Sequence, residues 1–201
     1  VTVRHAVVIR YVLGGWAAAT GIEYYIDTLN VAVLMLVSVL SSFVLLYAYR
    51  SVTKAVPLVK HYLFYTAWLL CVTGLLGIVI TGDAFNVFVF LEVTSLATYM
   101  LISFGDDRRS LSASFRYLIL GSVGASFILI GIGFLYAATG TLNMLDLAER
   151  IPDSESQRAV LVAFSFITMG VLIKSAVFPL HAWLPNAYTY APIAVTAFLA
   201  G

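Results

Sequence analysis

Charge is scarce in this chain. Of its 201 residues only 11 are Lys or Arg and 10 are Asp or Glu, while 62% are apolar. The mean hydropathy is +1.00. Soluble domains carry roughly a quarter charged residues, so this composition is that of an integral membrane protein. A net charge of +1 offers nucleic acid no basic face, and no block of like charges forms an interaction tail. No nucleic-acid partner is expected. Cysteine occurs once, as Cys71 within an apolar run, which excludes a disulfide framework and a cysteine-rich metal site. A small buried hydrophobe is its ordinary reading. The glycines form no phosphate-cradling loop, because such a loop needs a preceding strand and a following helix at the right spacing. No cofactor or metal is expected.

In the opening stretch VTVRHAVVIRYVL, charged residues and alternation replace an apolar core, so it is not a signal peptide. The chain begins at Val1 and stops at Gly201 inside an apolar segment, and is expected to be a fragment of a longer protein. Residues 1–27 alternate, with Val3, Val7, Ile9, Tyr11 and Leu13 on one side and Arg4 and Arg10 on the other. With the turn at Gly14-Gly15 and a second alternating piece at Gly21–Asp27, they predict a β-hairpin outside the bilayer. A spanning helix needs about 20 apolar residues. That length recurs at 28–49, 62–81, 85–104, 111–138 and 159–178, with the start of a further span near Pro192. The predicted fold class is therefore an all-α integral membrane protein. Residues 28–201 form a polytopic transmembrane helix bundle with one discontinuous helix, and residues 1–27 the extramembrane hairpin.

The loops sort by charge. Arg50, Lys54 and Lys60 lie between the first two spans, and Arg108, Arg109 and Arg116 at the start of the fourth. The excess of positive charge places loops 50–61 and 105–111 in the cytoplasm. Residues 1–27 and 139–158 then lie outside, the latter carrying TLNMLDLAERI as a short amphipathic helix. In the fourth span, Gly121, Ser122, Gly124, Ala125, Ser126, Gly131 and Gly133 let neighbouring helices approach closely.

Two ionisable residues stand where lipid penalises them. Glu92 lies near the middle of one apolar run and Lys174 deep in another. A charge at the bilayer centre costs about 2.5–3.5 kcal/mol on insertion scales, so each residue is a functional-site hypothesis. After Lys174 comes SAVFPLHAWLPNAYTYAP, in which three prolines and His181 interrupt the apolar run. Proline removes a backbone donor and clashes with the preceding turn, which predicts a break at 179–185. Broken backbone at membrane depth must be buried in protein or line water, and discontinuous helices are how many transporters build ion sites.

The remaining polar residues carry ordinary readings beside functional ones. Asp83 precedes Ala84-Phe85 and fits an N-cap, with entry to a proton path as the alternative. Tyr99 falls seven residues after Glu92 on the same helix face, where packing is its ordinary role. His181 serves either as a hydrogen bond that holds the helix break or as a proton relay, and His5 and His61 read as solvated or interfacial.

The segment FPLHAWLPNAYTYAPIAVTAFLAG, with Lys174 five residues before its Pro179 and Glu92 in FNVFVFLEVTSLATYMLIS, resembles the antiporter-like subunits shared by respiratory complex I, membrane-bound hydrogenases and Mrp-type cation/proton antiporters. The resemblance covers essentially the whole chain, including LGGWAAATGIEYYIDTLN and LYAATGTLNMLDLAERI. YTYAP looks closer to the D-type branch of the Mrp antiporters and its hydrogenase relatives. The resemblance implies two inverted repeats, of which this chain holds most of the first. It implies that Glu92 is the helix-centre carboxylate, Lys174 the lysine of the broken helix, and His181 the histidine of the PLHAWLP turn. Asn186 stands where the family usually has Asp and cannot titrate, though it can cap a helix. The expected partners are other membrane subunits of an antiporter or complex I-like assembly, the lipid bilayer, protons, and Na+ as candidate counter-ion. The expected location is the prokaryotic cell membrane.

Burial can depress a lysine pKa by as much as ~3–5 units, whereas a carboxylate about 4 Å away is worth ~4 kcal/mol at an effective dielectric of 20. A carboxylate that approaches and withdraws can therefore switch an amine between holding and releasing a proton. The function expected is proton translocation in a multisubunit Na+/H+ antiporter by Glu92 and Lys174, with His181 as relay. A redox-driven proton pump subunit and a membrane scaffold are the rival readings.

Overall fold

The computed structural model describes residues 8–17 and 21–200. Two strands, β1 (Ile9–Val12) and β2 (Glu23–Ile26), pair antiparallel with Ile9 opposite Ile26 and Val12 opposite Glu23. The predicted hairpin is thus present, and its expected members Val3, Arg4, His5 and Val7 lie outside the described residues.

Eight α-helices follow among the described residues: α1 (Thr28–Ala55), α2 (His61–Ile80), α3 (Ala84–Ser103), α4 (Arg109–Thr139), α5 (Met144–Arg150), α6 (Gln157–Lys174), α7 (Leu184–Tyr190) and α8 (Ile193–Ala200). Five of these, α1 to α4 and α6, are long and apolar enough to cross a membrane. Their starts follow from local chemistry. Asp27 caps α1, accepting a bond from the Asn30 N–H at 2.9 Å while Asn30 Oδ1 accepts the Asp27 N–H at 3.4 Å, which satisfies two backbone donors reciprocally. Asp83 caps α3 by accepting the Asn86 N–H at 2.7 Å, the N-cap expected of it. Asn143 caps α5 through the N–H groups of Leu145 and Asp146.

The hairpin, the α2–α3 turn and α5 meet at one end of the bundle. Gly82 N–H donates to the Glu23 carbonyl at 2.8 Å, and Asn143 Nδ2 donates to Glu23 Oε2 at 3.0 Å. Glu23, Thr81, Asp83, Asn86 and Asn143 are all buried there. The hydrogen bonds among them answer the cost of removing polar groups from water.

The helix break differs from expectation. The sequence predicts a span to residue 178 and a break at 179–185, but α6 stops at Lys174 and helix resumes only at Leu184. Ala176 adopts φ 52, the Val177 N–H donates to the Leu172 carbonyl at 3.1 Å, and the Ala176 N–H donates to the Ile173 carbonyl at 3.2 Å. This 6→1 and 5→2 pair around a left-handed residue is the Schellman termination, which ordinarily uses glycine. The helix therefore closes off before Pro179, whose ring would collide with the Ser175 carbonyl if the helix continued. Pro185 sits in the first turn of α7, where its missing N–H has no intrahelical partner to lose. Asn186 is inside α7 rather than capping it: its Nδ2 donates to the Ala182 carbonyl at 3.4 Å, while Trp183 holds the N-cap position.

Candidate functional site

Helix α3 carries Glu92 at its centre, and α6 presents Lys174 as its last residue. The two meet: Lys174 Nζ lies 3.0 Å from Glu92 Oε1. A second bond from the same nitrogen reaches Ser95 Oγ at 2.6 Å. Ser95 is buried, and its hydroxyl donates in turn to the Leu91 carbonyl at 2.7 Å. The side chains of Lys174 and Glu92 are 12% and 27% exposed, so the ion pair is largely enclosed and little screened. Lys174 also occupies the last turn of α6, where the negative end of the helix dipole favours a cation.

Close helix packing makes the meeting possible. Gly124 of α4 and Gly170 of α6 face each other, and a Cβ on Gly170 would stand 2.6 Å from the Gly124 carbonyl oxygen. That crossing lies one turn before Lys174 and seats α6 against α4, which packs along α3. Of the small residues read from the fourth span, Gly121, Gly124 and Gly131 would each clash or press on a neighbour if they carried a Cβ, whereas Gly133 faces open space.

An aromatic stack ties the interrupted segment to the same place. The buried Tyr99 ring meets Tyr117 edge-on at 4.7 Å, and Tyr117 stacks on Trp183 at 4.2 Å with an interplanar angle of 11°. Trp183 Nε1 then donates to the Ile173 carbonyl at 3.1 Å, a second bond to the oxygen that also accepts the Ala176 N–H at the end of α6. Tyr99 packs, as expected of it, but its hydroxyl is buried without a hydrogen-bond partner.

His181 is not bonded to the pair. Its ring is exposed, lies 5.5 Å from the Phe178 ring, and among the described residues forms no hydrogen bond with Lys174 or Glu92. His61 bonds the Val56 carbonyl at 2.8 Å, a local contact at the start of α2. Cys71 is buried and lies 3.4 Å from the Thr98 hydroxyl. Among the described residues, no group of three or more His, Cys, Asp or Glu converges as a metal site would require.

Sequence reasoning missed Ser95, Tyr117 and Trp183. Ser95 had a signal, since it follows Glu92 by three residues and so shares its helix face. The two aromatics had none, because their contacts join segments far apart in the chain.

Residues 81–201 match the family model described as NADH:quinone oxidoreductase/Mrp antiporter, TM. The chain is 47% identical over 191 residues to NADH-quinone oxidoreductase subunit N of Desulforudis audaxviator (strain MP104C), covering 95% of this chain and 38% of that protein. It is 35% identical over 185 residues to the D subunit of the Na(+)/H(+) antiporter of Bacillus subtilis (strain 168), covering 92% of this chain and 37% of that protein. Among solved structures it is similar to a chain of the membrane-bound sulfane sulfur reductase, an archaeal respiratory membrane complex. There the TM-score is 0.85 at 36% identity over 92% of this chain and 37% of that one. The chain thus spans little more than a third of the length of these relatives. With five apolar helices and prokaryotic relatives, it is a multi-pass protein of the plasma membrane.

Proposed function

This chain belongs to the NADH:quinone oxidoreductase/Mrp antiporter transmembrane family, and we propose that it acts as the proton-translocating part of a multisubunit monovalent cation (Na+)/H+ antiporter. It is a transporter component rather than an enzyme in its own right, and its partners are the other membrane subunits of that assembly. The observation that carries the reading is the 3.0 Å contact of Lys174 Nζ with Glu92 Oε1 at the end of a broken helix.

The pair works as follows. With the carboxylate in place, attraction worth about 4 kcal/mol at an effective dielectric of 20 holds the proton on the amine. When Glu92 withdraws, the ammonium is left as a partly buried charge without a counter-charge, and it sheds its proton because the neutral amine costs less to keep out of water. The break after α6 supplies the freedom for such a change, since Lys174 is followed by irregular backbone rather than by further helical turns. His181, exposed on the interrupted segment, is the group by which a proton exchanges with the path on that side.

Substituting Lys174→Ala or Glu92→Gln in the assembled complex, reconstituted in vesicles and followed with a pH-sensitive dye, tests this reading. Loss of proton movement with assembly intact is expected, and undiminished movement would reduce the chain to a scaffold. A second reading has its own support in the 47% identity to a protein named for NADH-quinone oxidoreductase: the same pair serving as a proton pump in a redox-driven complex. Copurification with flavin or iron–sulfur subunits favours that reading over the antiporter.

A further inference from the structure

The Tyr99 hydroxyl is the one buried side-chain polar atom among the described residues that has no hydrogen-bond partner. Buried polar groups in folded proteins are nearly always satisfied, so an orphan of this kind calls for an explanation. Its surroundings suggest one. Tyr99 lies four residues after Ser95, one turn along the same face of α3, and Ser95 is the hydroxyl on which Lys174 Nζ rests at 2.6 Å. The Tyr99 ring is fixed edge-on against Tyr117 at 4.7 Å. On the α4 side the hydroxyl is lodged against Gly121, where a Cβ would overlap it. Any larger residue at Gly121 would expel the hydroxyl from this position. The ring is thus held by packing, one helical turn from Ser95, and its hydroxyl has no hydrogen-bond partner.

We propose that Tyr99 relays the proton exchanged at Lys174, taking it through the Ser95 hydroxyl and handing it to a water molecule. The proposal rests on the reading of Lys174 and Glu92 as a titrating pair. In the relay, the Lys174 N–H proton passes to Ser95 Oγ as the Ser95 O–H proton passes to Tyr99 Oη, and the Tyr99 O–H proton passes to a water molecule. Each hydroxyl gains one proton and loses one, so both end neutral, Lys174 ends as the free amine and the water as hydronium. For that to occur, the Ser95 hydroxyl turns from the Leu91 carbonyl, its present acceptor, to Tyr99. His181 lies on the exposed interrupted segment and Tyr99 is buried inside the bundle, so the relay through Tyr99 is separate from exchange at His181.

Tyr99→Phe keeps the ring and its edge contact and removes only the oxygen. In the full complex in vesicles, this variant is expected to slow proton movement by roughly tenfold or more, the scale of a lost proton-transfer group, with assembly and thermal midpoint unchanged. The ratio of rates in H2O and D2O is expected to change as well, which a packing role would not produce. Wild-type flux in Tyr99→Phe overturns the relay, and so does a loss of flux matched by an equal loss of assembled complex. Lys174→Ala measured alongside separates the two ideas. If Lys174→Ala is inactive while Tyr99→Phe is normal, only the relay falls; if Lys174→Ala transports normally, the titrating pair falls too. As a second variant, Gly121→Ala displaces the hydroxyl without removing it, and is expected to reproduce the isotope change.

Discussion

Gly124 and Gly170 bring α4 and α6 so close that a Cβ on Gly170 would stand 2.6 Å from the Gly124 carbonyl oxygen, and one on Gly124 would stand 3.2 Å from the Gly170 carbonyl oxygen. Backbone carbonyls cannot swing aside as a flexible side chain can, so the crossing tolerates no added atom without the helices separating. It lies a single turn before Lys174, which makes it the fulcrum on which the amine reaches Glu92.

Gly170→Ala is therefore expected to destabilise the subunit by about 1–3 kcal/mol, the usual cost of overpacking, and to weaken proton movement by drawing Lys174 away from α3. Thermal unfolding and vesicle flux of the same preparation check both halves. Gly133→Ala, at a position facing open space, is the matched control and should leave both unchanged.

Ala176 holds the left-handed position of the α6 termination at φ 52. An L-residue there carries a cost of about 1–2 kcal/mol that glycine avoids. Ala176→Gly is expected to raise the thermal midpoint and Ala176→Val to lower it, because a β-branched residue fits that conformation worst. A destabilised Ala176→Gly variant would mean that the helix ends by some other means.

Burial pushes the Asp83 carboxyl above its ordinary value, against the backbone N–H bonds from Asn86 and Phe85 that pull it down. The folded state thus holds that proton more tightly than the unfolded one. Its contribution to stability is complete below the usual carboxylate range near 3.9 and is lost as pH rises through the raised value. Asp83→Asn keeps an N-cap acceptor without the charge, and is expected to be at least as stable as wild type near neutrality. Asp83→Ala, which loses the cap, should cost about 1 kcal/mol. Melting curves at acid and neutral pH decide it, and equal destabilisation of the two variants near neutrality would contradict this account of the residue.

Much of this arrangement was written along the chain, and what was missing lay between distant segments. Apolar run length marked all five spans, since lipid imposes the same length on each. Asp83 announced a helix start by local chemistry. The hairpin followed from alternation, and among the described residues Ile9–Val12 pairs with Glu23–Ile26. Proline drew attention to the right interruption but to the wrong residue for its onset: α6 ends at a left-handed alanine, a position that local rules assign to glycine. Glu92 and Lys174 stood out singly because the bilayer penalises each. Their contact, and the part played by Ser95 and the Tyr99–Tyr117–Trp183 stack, depends on how α3, α4 and α6 cross, and no local pattern encodes that. The PLHAWLP turn singled out His181, whose ring lies 5.5 Å from that of Phe178.

The most direct test of the central claim is proton flux in the complex carrying Lys174→Arg. A guanidinium keeps a positive charge beside Glu92 but stays protonated at any working pH, so it preserves an ion pair while forbidding the release of a proton. The account predicts an assembled complex of near wild-type stability that moves no protons. Flux at the wild-type rate in that variant would show the Lys174–Glu92 contact to be structural and would contradict the account.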